Sequence, residues 1–309
     1  MRMKRVRRHL GVSILTVAAL VLPGCAADDG VADRADTELL PLGDGKISGG
    51  PEAGSVFSCQ TRFPENAPGA FRDGEWIQGD QWDPEGKPTV DGEVDWPNAQ
   101  ITVAVEGSER VVTTNGLPSH PTGEFPVAPD DDAYAYDRNP NSVGEQSVLL
   151  RLPASPDKAG QPACVPMGMI GFALTGAAIY NALDARGRDA AAHEIQDSCD
   201  GHPEKNGEYH YHSLSECMGD ESGASEGHSD LFGFALDGFG IYGPRDSDGH
   251  PLTNADLDAC HGHTGPAKLD GRTSTVYHYH FTEEYPYTVG CFAGDPVELP
   301  GGNPSRRPS

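Results

Sequence analysis

The chain has 309 residues, with 22 Lys/Arg against 47 Asp/Glu and a formal net charge of −25. So acidic a surface repels nucleic acid and anionic lipid headgroups, and both are excluded as partners. Thirty-nine Gly and 26 Pro support an all-β, loop-rich fold with few short helices.

The first ten residues, MRMKRVRRHL, carry five Lys/Arg and no acid, and GVSILTVAALVL adds an apolar run of 12. That run is too short to span a bilayer and suits the core of a secretory signal. It ends at Leu22-Pro23-Gly24-Cys25, a box similar to the cleavage site of bacterial lipoproteins. Residues 1–24 are therefore read as a signal peptide and Cys25 as a lipidated residue. This implies export to a bacterial cell envelope, with the membrane touched only through the anchor. Arg7 and Arg8 also resemble a twin-arginine signal. Cleavage before Cys25 would remove five of the 22 Lys/Arg and none of the 47 Asp/Glu, deepening the charge from −25 to −30.

Residues 25–50 are rich in Ala, Asp and Gly and read as a flexible tether. Residues 51–97 hold isolated aromatics among Pro, Gly and Asp, the pattern of an irregular arm that Cys59 ties down. Regular structure begins near Gln100. ITVAVEG alternates apolar and polar residues as a half-buried strand does, ERVVTTNG continues as a second strand with a turn at Asn115-Gly116, and SVLLRLP is a third. GMIGFALTGAAIYNAL and DLFGFALDGFGIYGP are apolar runs broken by glycines, which predicts bulged strands or hairpins. Short helices are expected only in DAAAHEIQDS and TNADLDAC. One β-rich domain spans 98–294, and 295–309 form a loose tail.

Four landmarks recur in one order. GFALTGAAIY (171–180) matches GFALDGFGIY (233–242) at seven of ten positions, and Asp184 matches Asp246. DSCDGH (197–202) matches DACHGH (258–263), and YHYH occurs at 209–212 and at 277–280. An internal duplication follows, with units at about 168–217 and 231–293. Beyond Cys25 there are six cysteines, an even number that in an exported chain reads as disulfides. Each unit has one Cys before its Gly-His and one after its tetrad. The repeat thus suggests Cys199–Cys217 and Cys260–Cys291, which leaves Cys59–Cys164 to fasten the arm.

GFALDGFGIYGP, the D-x-C-x-G-H element, the paired tetrads and YPYTVGCFAG, together with the upstream TTNGLPSHPTG, resemble the YHYH-domain family of exported or surface proteins over about residues 98–294. The resemblance implies domain identity and extracytoplasmic location. It implies no settled activity, and no catalytic residue is carried over from it.

The histidines make their own case. Side chains alternate across a strand, so His210 and His212 share one face and Tyr209 and Tyr211 the other, as do His278 and His280 against Tyr277 and Tyr279. Two histidines at i and i+2 can chelate one metal ion, and the Gly-His elements offer His202 and His263 as third ligands. Three imidazoles around an open position suit catalytic zinc, and also copper or iron. His120 is a further candidate ligand. Unit two carries His261 where unit one has Asp200, and Asp237 where it has Thr175, which favours unit two as the active copy with Asp237 orienting a ligand or acting as base. His193, His228 and His250 lie in polar, loop-like settings and read as surface residues. Asp246 and Asp248 form a calcium-loop fragment without the later Glu of such loops, and Asp130–Asp132 read as a solvated acidic loop. No phosphate-binding loop is present.

Two functions follow. The first is a lipid-anchored metal protein, in which a divalent zinc, copper or iron ion is either catalytic, through hydrolysis or redox chemistry, or simply bound. The second is a non-catalytic surface module. There, structural histidine networks would hold a face whose Phe239, Tyr242, Tyr285 and Tyr287 stack on a glycan or meet a small molecule, an envelope component or a protein partner.

Overall fold

The computed structural model describes residues 39–219 and 227–299. The expected signal peptide, Cys25, part of the expected tether and the last ten residues lie outside the described residues. After five two-residue strands within residues 40–82, three longer antiparallel strands lie where the alternation predicts them: β1 (Ile101–Glu106), β2 (Glu109–Thr114) and β3 (Val148–Pro153), in the order β1-β2-β3. Val112, Leu150 and Leu152 of the last two are buried.

Eight further strands make the main sheet. The two glycine-broken runs fold into hairpins, β4 (Met169–Ala173) with β5 (Ala178–Tyr180), and β8 (Leu231–Ala235) with β9 (Gly240–Tyr242). Their turns fall at Thr175-Gly176 and Asp237-Gly238, where both glycines adopt the left-handed φ (105° and 90°) that disfavours other residues. Between and after them lie β6 (Gly201–Pro203), β7 (Tyr209–Tyr211), β10 (Gly262–Leu269) and β11 (Arg272–His280). The sheet order is β6-β7-β5-β4-β8-β9-β11-β10. Read from either edge, an antiparallel pair joins a hairpin through a parallel contact, β7 on β5 and β11 on β9.

The halves meet where β4 pairs with β8, with Phe172 opposite Phe234 and their rings stacked 6.2 Å apart. A Cβ on Gly171 would lie 2.5 Å from the Phe234 carbonyl oxygen, and one on Gly233 would lie 2.3 Å from that of Phe172. The close approach of the two backbones therefore requires glycine at both positions. The described residues form one compact unit.

Helix is scarce. DAAAHEIQDS yields one turn, Ala190–His193, capped by the Asp189 carboxylate, which accepts from Ala192 N. TNADLDAC forms turns and not the expected helix. Its Thr253 and Asp256 satisfy each other locally, the carboxylate accepting from Thr253 N and Oγ1, and this competes with helix initiation. The expected tether is too long by about a dozen residues, because residues 39–50 are packed. Leu40 pairs with Trp82, and Gly43 N donates to the buried Asp189 carboxylate. All three expected disulfides are present, Cys59–Cys164, Cys199–Cys217 and Cys260–Cys291. No described helix is long and apolar enough to cross a membrane.

Candidate metal centres

Alternation sorts the tetrads onto two faces. On the inner face, Tyr209, Tyr211 and Tyr279 are fully buried and Tyr277 nearly so. The aspartate of each D-x-C-x-G-H element ties this face to its loop. Asp197 Oδ1 accepts from Cys199 N (2.9 Å), Gly201 N (3.3 Å) and the Tyr209 hydroxyl (2.9 Å). Asp258 Oδ1 accepts from Cys260 N, Gly262 N and the Tyr277 hydroxyl at 2.9, 3.3 and 3.0 Å. Each loop then turns through a left-handed residue, Asp200 (φ 56°) or His261 (φ 71°), and delivers the next histidine onto the sheet. There His202 pairs with His210 and His263 with His278, side by side across antiparallel strands.

The first histidine cluster is His202, His210 and His212, all buried. His210 Nδ1 donates to the Glu208 carbonyl (3.1 Å) and His212 Nδ1 to that of Asn181 (2.6 Å). A carbonyl oxygen only accepts, so both Nδ1 atoms carry the proton and both Nε2 atoms present bare lone pairs. Those Nε2 atoms lie 3.1 Å apart. Glu194, the C-cap of the one-turn helix, brings a carboxylate oxygen to 3.4 Å from His202 Nε2 and 3.3 Å from His212 Nε2. Neither ring nitrogen of His202 has a hydrogen-bond partner. Burial pushes His202 down to about 4, and burial together with the neighbouring rings holds His210 well below its ordinary value. Burial thus disfavours a second proton on His202 or His210. Tyr180 stacks on His210 at 3.8 Å and closes one side, its hydroxyl donating to Glu208.

The second cluster has four members, His228, His263, His278 and His280. Nδ1 donates to a backbone carbonyl in three of them: His228 to Ser229 (2.8 Å), His278 to Val276 (3.0 Å) and His280 to Gly243 (2.6 Å). The Nε2 atoms again converge, with His228–His278 at 2.9 Å, His263–His278 at 3.1 Å and His263–His280 at 3.2 Å. Burial lowers His278 to about 3, lowers His263, and with the adjacent His278 holds His280 well down. His278 and His280 are fully buried, whereas His228 and His263 are half-buried, so this cluster reaches the surface on one side. Tyr242 stands edge-on to His228 and His278 at 5.0 Å. A cleft of about 810 Å³, lined in part by Tyr242, His278, Phe239 and Arg272, opens alongside.

Six of the seven histidines expected as ligands are thus gathered, in two separate clusters. The seventh, His120, sits on the tyrosine face instead: its Nε2 meets the Tyr211 hydroxyl at 2.5 Å and its Nδ1 the Pro121 carbonyl. Cys199 and Cys217 beside it are spent in a disulfide. Asp237 is also away from the histidines. It accepts from the Tyr279 hydroxyl (2.5 Å) and Gly294 N (2.9 Å), the place that Thr175 takes against Tyr211 in the first half, so it is a partner of the tyrosine face and not a base at the histidine cluster. The extra His261 of unit two is buried against Thr282 Oγ1 (2.9 Å) and joins no cluster.

Two donors were missed. His228 reads as a surface residue in EGHSD but completes the second cluster, and Glu194 is one carboxylate among many. His193, also read as surface, is buried between Asp44 and Asp73, whose carboxylates raise its pKa against the effect of burial. His250 is exposed as read, with Asp246 Oδ1 accepting from Asp248 N and His250 N in a closed turn. Asp131 caps a short 3₁₀ turn, so that stretch is not wholly solvated. Phe239, Tyr242, Tyr285 and Tyr287 are all buried, which removes the aromatic face expected for stacking on a glycan.

The family described as "YHYH protein" matches residues 149–253, from β3 to just past the second hairpin. The first histidine cluster falls wholly inside that span, while His263, His278 and His280 fall beyond it. No curated protein and no solved structure matches the chain.

Proposed function

We propose that this chain, a member of the YHYH family, is an extracytoplasmic metal-binding protein with two histidine-built centres, held at the cell envelope by a lipid on Cys25. The three disulfides fit an oxidising compartment. One observation supports the metal most. Nε2 atoms face one another at 3.1 Å in His210–His212 and at 2.9 Å in His228–His278, and in both pairs Nδ1–H to carbonyl bonds fix the tautomers. Bare acceptors at that distance repel unless a cation lies between them. Nitrogens about 2.0–2.1 Å from a common ion are about 2.9 Å apart on a square and about 3.4 Å apart on a tetrahedron. The carbonyl contacts are also the outer-shell partners that orient imidazole ligands.

A further donor stands at each cluster, His228 within the second and Glu194 beside His202 and His212 of the first. That favours a held ion over the open position of a zinc hydrolase. Redox chemistry at copper or iron, which accept wider coordination, stays compatible with either donor set.

The test is the metal content of protein exported into an oxidising compartment and purified without chelator or affinity histidines. Zinc, copper or iron near stoichiometry is expected, one share lost in His210→Ala/His212→Ala and another in His278→Ala/His280→Ala. Retention of no metal after reconstitution of the wild type would refute the proposal and leave the histidines as framework.

A further inference from the structure

The two clusters share a backbone plan but not a donor set. Resting on the metal-binding reading above, we propose that they take different ions: the four-histidine centre is a copper site, and the Glu194 centre holds a harder divalent ion of the zinc class.

Charge separates them first. Around His202, His210 and His212 the nearest further donor is the buried Glu194 carboxylate, 3.4 and 3.3 Å from two of the three Nε2 atoms, so a divalent ion there would meet a compensating negative charge beside it, with the Lys87 cation also acting on that carboxylate. Around His263, His278 and His280 the fourth donor is another neutral imidazole. The carboxylates that act on that cluster, Asp246, Asp258 and Asp256, do so at longer range through His263. An uncompensated double charge costs more than a single one in a partly buried site, and copper is the metal in this series with a stable monovalent state.

Donor hardness points the same way. Four neutral imidazoles suit copper as well as zinc, whereas a carboxylate in the set moves preference toward harder divalent ions. Exposure is the third difference. The first cluster is closed by buried residues and by Tyr180, so its ion would exchange slowly. The second has half-buried His228 and His263 at its outer side, which gives an ion a way in and out.

His228 also lies outside the sheet, ahead of β8, and can be changed without breaking a strand pair. The test is anaerobic loading of the metal-free full chain with one equivalent of Cu(I) and one of Zn(II), followed by X-ray absorption at the copper and zinc edges. The expected copper spectrum shows coordination by nitrogens alone, changes in His228→Ala and stays the same in Glu194→Gln. The zinc is lost in Glu194→Gln. Donor exchange gives the stricter test, since each variant leaves four ligands in place. In His228→Glu the preference of the second centre for copper over zinc should fall by about tenfold, and in Glu194→His that of the first should rise by a similar factor.

A copper signal sensitive to Glu194→Gln but not to His228→Ala, or copper spread evenly over both centres, would overturn the assignment while leaving two metal sites standing. Failure to retain either ion in the wild type would instead sink the metal-binding reading beneath it.

Discussion

The aspartate of the D-x-C-x-G-H element gives a stability test that needs no metal. Asp197 is fully buried, and its carboxylate accepts from Gly123 N (2.8 Å), Cys199 N, Gly201 N and the Tyr209 hydroxyl. Asp197→Ala leaves at least three buried donors without an acceptor. Each orphan costs about 1–3 kcal/mol, partly offset because burial already disfavours the charged carboxylate and raises its pKa, so the net cost should be about 3–5 kcal/mol. The counterpart Asp258 makes similar bonds, but its side chain is 38% exposed and water can replace it. Asp258→Ala should therefore cost only about 1–2 kcal/mol. Urea unfolding followed by tryptophan fluorescence in metal-free buffer measures both, and a cycle with Tyr209→Phe isolates the hydroxyl contact at about 1–2 kcal/mol of coupling. Equal costs for the two aspartates, or less than about 1 kcal/mol for Asp197→Ala, would show that these bonds do not hold the histidine loops as described.

Three further outcomes are expected. Burial raises Asp237 to about 6 from an ordinary 3.8, so the folded state binds this proton more tightly than the unfolded state does. Its contribution is then most favourable below about pH 4, falls by up to about 3 kcal/mol as pH climbs to about 6, and is flat above; the change in unfolding free energy between pH 4 and pH 7 should differ between wild type and Asp237→Asn by up to this amount. Gly233→Ala places a methyl 2.3 Å from the Phe172 carbonyl oxygen at the junction of the halves, and should cost about 2–3 kcal/mol in the same assay. Cys59→Ser/Cys164→Ser opens a link between residues 105 apart in sequence, a loss of about 4–5 kcal/mol on the chain-entropy model, and limited proteolysis should then cut first within residues 60–75.

The repeated parts of this fold were legible because they obey short-range rules. Glycine-turn spacing announces both hairpins, the alternation of Tyr and His assigns the two faces of β7 and β11, and the order of cysteines within each unit yields the disulfides. What escaped depends on chain reversal. His228 stands alone in a polar run, and nothing near it in sequence marks a ligand. It reaches His278 only because β8 and β9 carry the chain across the sheet and β11 returns beside β9. Glu194 has no local signal beyond following a short Ala run. Asp237 and His261 misled for the opposite reason. They are differences between the copies, and a difference looks like acquired chemistry, yet both lie among tyrosine-face and loop contacts where one hydrogen-bonding group has replaced another.

That contrast bears on how the two clusters could come to differ in chemistry. Within the repeated frame, substitutions are held to pairs that keep a bond: Thr175 meets the Tyr211 hydroxyl at 3.0 Å, and Asp237 meets that of Tyr279 at 2.5 Å. The fourth donors escape this constraint. Glu194 stands three residues before Asp197, where the other copy has Ala255 before Asp258. His228 stands five residues before Gly233, where the other copy has Pro166 before Gly171. Neither donor has a counterpart able to bind an ion, and each enters its cluster from a segment that carries no strand of the main sheet. A residue so placed can change charge, hardness and exposure while the tyrosine wiring that aims the other three ligands stays intact. Glu194 and His228 are therefore the positions at which exchange should alter which ion is held without altering whether the frame folds, and the two donor-exchange variants should unfold within about 1 kcal/mol of wild type in metal-free buffer.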